Sequence, residues 1–70
     1  MSNTVARVIE ISAVSEVSFE DAVKVGVSRA NKTLRNVTSA WIKEQRVDVA
    51  DGGITQYQVN MMVTFILEDE

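Results

Sequence analysis

Apolar and polar residues alternate from Thr55 to Leu67 with almost no break. Tyr57, Val59, Met61, Val63, Phe65 and Leu67 share one parity, and Gln56, Gln58, Asn60 and Thr64 the other. Successive strand side chains point to opposite faces, so the pattern predicts a long strand with one apolar and one largely polar face. Only Met62 and Ile66 interrupt the polar side. At ~3.3 Å per residue the strand measures roughly 43 Å.

Val5 to Val14 is rich in β-branched residues and reads as the first strand, with Ile9, Ile11 and Ala13 on one side and Glu10 and Ser12 on the other. From Phe19 the apolar spacing changes to three and four. Phe19, Ala22, Val23, Val27, Ala30 and Leu34 form one helical stripe, which predicts a helix over about 18–35. Ser18 is the expected N-cap and Asp21 imitates the partner of a capping box, while Asn36 suits a left-handed residue at the far end. Gly26 lies on the stripe, where it costs ~1 kcal/mol against Ala. Its presence predicts that the sheet backbone approaches closely there.

Val37 to Ala50 reads as the second strand, and Asp51-Gly52-Gly53 as a tight hairpin turn. With Gly52 and Gly53 central, Asp48 would face Tyr57, Ile42 would face Val63, and Ala40 would face Phe65. In that register Ala40 and Ile42 lie under the helix, followed on the same inner face by Glu44, Arg46 and Asp48. The fold class is therefore α+β, in the order β-α-β-β, a three-stranded antiparallel sheet partly wrapped around one helix. A helix of ~17 residues spans about 26 Å, far less than the strands. The overhang has to meet water or another subunit, and uncovered strand edges of this length invite pairing.

Composition narrows the function. Seventy residues, 1–70, are expected to make a single domain with a marginal core. The chain has no cysteine and no histidine, which excludes disulfides, the usual zinc sites and imidazole-based catalysis. Oligomerisation is the remaining way to support so small a core. The net charge of −3 and the scattered basic residues argue against nucleic acid as a partner. No signal peptide or membrane span is evident, so a soluble cytoplasmic protein is expected. No nucleophile stands with a base, so no enzymatic activity is expected.

The order of elements and several short stretches resemble the dodecin family. They are Val8-Ile9-Glu10-Ile11, Ser18-Phe19-Glu20-Asp21-Ala22, Arg29-Ala30, Thr33-Leu34-Arg35-Asn36, Tyr57-Gln58-Val59 and Val63-Thr64-Phe65-Ile66-Leu67-Glu68. The resemblance covers essentially the whole chain. It implies a hollow homododecamer that binds a flavin (riboflavin, FMN or FAD). Flavin-binding members stack a tryptophan from the start of the second strand on the isoalloxazine ring, and an ungapped alignment places Ser39 there. Trp41, two residues on, projects from the same face. The family's flavin-bonding glutamine matches Gln58. An arginine that some bacterial members place near the ligand's phosphate matches Arg46, although strand parity puts Arg46 on the inner face. Ser39, Trp41, Arg46 and Gln58 are the candidate ligand-binding residues, with flavin binding expected to be weak or absent beside tryptophan-bearing relatives.

Each feature also has a plainer reading. Trp41 either stacks on a planar ligand or packs against a neighbouring subunit. The amides Gln56, Gln58 and Asn60 either read a heterocycle edge or line a solvated face. Asp48, Asp51 and the tail Glu68-Asp69-Glu70 could hold a divalent cation at a subunit junction, but no loop has EF-hand spacing. The alternatives to flavin storage are thus a dodecin-like shell that binds another small molecule or a cation, and a purely structural assembly.

Overall fold

A computed structural model describes residues 3–67, so the tail Glu68-Asp69-Glu70 lies outside the described residues. Strand β1 (Ala6–Ser15), helix α1 (Phe19–Thr33), strand β2 (Val37–Ala50) and strand β3 (Gly53–Ile66) follow in the expected order. They form one antiparallel sheet of order β1-β3-β2. The strand with the cleanest alternation is the central one.

The helix packs on the odd-numbered face of β3. Val59, Met61 and Val63 are fully buried there, and Val59 and Met61 form one cluster with Ala13, Ala22, Ile11, Phe19, Val23 and Val27. The ring of Phe19 meets Tyr57 edge-on with centroids 5.1 Å apart. Gly26 is close-packed, as its place on the stripe implied, but against side chains and not sheet backbone. A Cβ at Gly26 would stand 3.0 Å from Met61 Sδ and 3.1 Å from Ala13 Cβ.

The helix ends differ slightly from the spacing-based expectation. Ser18 is extended (φ −171°), and its hydroxyl accepts from the Asp21 amide, which makes it the N-cap. The Asp21 carboxylate does not return to Ser18. It accepts the Ser15 hydroxyl at 2.7 Å, and Ser15 Oγ accepts from the Val17 and Ser18 amides. The helix closes at Thr33, because Leu34 is already extended while its amide still bonds to the Ala30 carbonyl. Asn36 takes the left-handed conformation (φ 64°) in the connection to β2.

The β2–β3 register departs from the expected ladder. Asp51 and Gly52, both at positive φ (54° and 80°), are the central turn residues, so Ala50 pairs with Gly53. Asp tolerates the left-handed region well enough to take the first turn position. Three irregularities then interrupt the ladder, between Val37 and Ser39, Ile42 and Glu44, and Asp48 and Val49. Ala40 pairs with Val63 and Ile42 with Met61, which keeps both on the helix side as expected. Lys43 is then the extra residue of a bulge, and the parity of β2 reverses. Glu44, Arg46 and Asp48 pair with Asn60, Gln58 and Gln56 on the outer face, and Gln45 and Val47 turn inward. The expectation that these three charges share the inner face with Ile42 is therefore overturned. The bulge spares the sheet from turning charged side chains toward the apolar side.

Candidate functional site

The outer face of the sheet, opposite the helix, is built in rows across the three strands. Directly paired residues of an antiparallel sheet share a face. One row is Val8–Thr64–Ser39, the next Glu10–Met62–Trp41, then Ser12–Asn60–Glu44, and then Val14–Gln58–Arg46. All four candidate residues lie on this face. Ser39 and Trp41 are neighbours on β2, and Trp41 is 51% exposed beside Met62. Arg46 and Gln58 pair directly. Arg46 thus corrects the expectation from strand parity, because the Lys43 bulge carries it to the outer side.

The structure brings these residues together as two pairs and not as one cluster. The Trp41 row at Met62 and the Gln58 row lie four positions apart on β3, or ~13 Å along the strand. A hydrogen-bonded band fills the gap. Asn60 Oδ1 accepts from Ser12 Oγ at 2.6 Å and from Gln58 Nε2 at 3.2 Å, while Asn60 Nδ2 donates to Glu44 Oε1 at 3.1 Å. The bulged Lys43 reaches across β3 to Glu10 at 3.2 Å, and Arg46 pairs with Asp48 at 3.6 Å. The network holds Gln58 in a set orientation through one of its amide hydrogens. Its Oε1 and second N–H make no further hydrogen bond among the described residues.

Lys43, Glu44 and Glu10 were not among the sequence candidates. A weak signal was present in β2: Ala40 and Ile42 are apolar at even positions, and Val47 and Val49 at odd ones. A change of apolar parity inside one strand requires one extra residue. Among the described residues, the acidic candidates Asp48 and Asp51 do not gather. Asp48 faces Arg46 on the sheet and Asp51 sits in the turn, and the described residues hold no group of three or more carboxylates placed to bind a metal ion. No helix of the described residues is long and apolar enough to cross a membrane.

The described residues thus form a long three-stranded antiparallel sheet with one helix packed on one face and an exposed indole on the other. The comparisons with known proteins agree. The Dodecin family model matches residues 5–68. The curated dodecin of Thermus thermophilus is 35% identical over 65 residues, which cover 93% of this chain and 94% of that protein. The dodecin structure from Streptomyces coelicolor superposes with a TM-score of 0.93 at 33% identity, covering 100% of both chains. A calcium-chelating dodecin from Mycobacterium tuberculosis gives a TM-score of 0.80 at 30% identity over 94% of each chain. The chain belongs to the dodecin family.

Proposed function

We propose that this dodecin assembles with copies of itself, as a cytoplasmic dodecamer, and holds a flavin on the outer sheet face between subunits. The family resemblance supplies the number twelve and the class of ligand. The observation that carries the reading is the layout of the outer face, which sets a stacking residue, Trp41, apart from a hydrogen-bonding pair, Gln58 and Arg46. A ring stacked on Trp41 would reach a Gln58 amide most directly on a neighbouring copy. Two chains then supply one complete site. Gln58 reads the ring edge, and Arg46 meets a phosphate when FMN or FAD is bound. The bulge strengthens the case for Arg46, which now shares the face of Gln58.

Ser39 stands where flavin-binding members of the family stack their tryptophan, so the affinity is lower than theirs. Titration of the purified protein with riboflavin, FMN and FAD, followed by quenching of flavin fluorescence, tests the proposal. Weak, saturable quenching that Gln58→Ala reduces is the expected result. Tight riboflavin binding that Trp41→Ala leaves unchanged contradicts this account of the face.

A further inference from the structure

Past the Ser15–Tyr57 pair, where β1 ends, the sheet narrows to the β2–β3 hairpin alone. The helix begins beside Tyr57, at Phe19, so residues 48–56 run on without a third strand or a helix over them. A two-stranded ribbon on its own is at best marginally stable in water. This one also carries Val49 and Ile54 as a direct pair, 65% and 53% exposed. The charges at its end are acidic, Asp48 and Asp51. Asp48 has Arg46 beside it, and Asp51 makes no ion pair among the described residues.

A surface of matching character lies along the other end of the fold. Between β1 and α1 runs a groove of about 460 Å³, lined by Ile9, Ile11, Val25, Gly26, Arg29 and Leu34. Its rim continues across the helix through Ser28 to Lys24 and Lys32. Lys24 is paired with Glu20 at 3.7 Å, while Arg29 and Lys32 make no ion pair among the described residues. The groove on the opposite flank of the helix, which includes Val23, Val27, Val37, Trp41 and Ile42, has no charged residue in its lining. Of these two flanks of the helix, the β1 flank is the one that combines an apolar floor with a positive rim unpaired among the described residues.

We infer that the β2–β3 hairpin tip of a second copy seats in the β1–α1 groove. Val49 and Ile54 cover Val25 and the exposed flank of Ile9 and Ile11, and Asp51 meets Arg29 and Lys32. The inference rests on the self-assembly proposed above and names the contact that builds it. Tip and groove are different surfaces, so the contact is head-to-tail, and a closed ring of such contacts leaves no tip and no groove uncovered. The occupied tip gains the third layer that its own chain does not provide.

The test is a charge cycle read by light scattering across a dilution series. Arg29→Glu places a negative charge against Asp51 and raises the concentration of half-assembly by about tenfold or more. Asp51→Asn keeps a residue that tolerates positive φ, so the turn is preserved. In the Asp51→Asn background the effect of Arg29→Glu shrinks several-fold. A second readout uses the absence of native cysteine: Val25→Cys/Ile54→Cys forms disulfide-linked multimers under mild oxidation, and neither single variant does. A wild-type protein with single-chain mass overturns the assembly reading itself. An assembled wild type whose stability is indifferent to Arg29→Glu, or that cross-links through Ile54→Cys alone, overturns the docking while leaving the assembly standing.

Discussion

Gly26 sets the distance between helix and sheet. An alanine there gains ~1 kcal/mol of helix propensity. Its methyl, however, meets Met61 Sδ and Ala13 Cβ at 3.0 and 3.1 Å. Met61 can turn its flexible end aside, but the Ala13 Cβ is fixed to the strand backbone. Overpacking of this kind costs about 1–3 kcal/mol. Gly26→Ala is therefore expected to lower stability by roughly 1 kcal/mol net, read from the midpoint of urea unfolding with the slope unchanged. An increase in stability would show that the helix lifts freely. Ser39 presents the opposite case, a small residue on an open face. Ser39→Trp is expected to tighten flavin binding by ~1–3 kcal/mol, by analogy with base stacking on aromatic residues. An unchanged Kd in the fluorescence titration would remove Ser39 from the site.

The faces of β1 and β3 were legible because Ile9, Ile11 and Ala13, and Tyr57, Val59, Met61, Val63 and Phe65, each keep one parity, despite the apolar Met62 and Ile66 on the other. The helix was legible from Phe19 to Ala30 because the stripe has a single period. Its C-terminal end was less so, since Leu34 fits the stripe yet has left the helix. The register of β2 was hidden by its irregularities. Turn chemistry at Asp51-Gly52-Gly53 allows two adjacent choices of central pair, and a bulge changes the count by one residue without changing composition. Arg46 was consequently assigned to the wrong face, while Ser39, Trp41 and Gln58 were placed correctly on the outer one. The bulge yields a prediction of its own. Lys43 opposes no residue on β3, so its deletion leaves Ile42 opposite Met61 and Glu44 opposite Asn60. The loss is its exposed pair with Glu10, worth ~0–1 kcal/mol. Deletion of Lys43 should be tolerated, with Arg46 still beside Gln58. Chemical unfolding that shows a loss of several kcal/mol would mean that the bulge itself stabilises the sheet.

At the scale of the molecule, the described residues extend 56 × 20 × 13 Å. Their buried apolar residues are Ala13, Ala22, Ala30, Val59, Met61 and Val63, half of them alanine. Val5, Val17, Val25, Trp41, Val49 and Ile54 are all about half exposed or more. A chain that hides so little on its own suits the self-assembly proposed above, in which folding coupled to assembly would make stability a function of concentration. The melting temperature should therefore fall on about hundredfold dilution, as mass action requires of an obligate oligomer. A melting temperature independent of concentration, measured by calorimetry and nanomolar fluorescence, would indicate a self-sufficient protomer.

The strand order β1-β3-β2 has a consequence in time. The strand that joins both others is the last of the three to be synthesised. Until it leaves the ribosome, β1 and β2 have no partner within the chain, and the helix has no completed surface to pack on. Every sheet pairing waits for the final strand, whose uncharged run from Val59 to Ile66 is also the stretch most inclined to self-associate. That run emerges when both of its flanking strands are already present to claim it, so the order of synthesis itself shields the most adhesive segment of the chain.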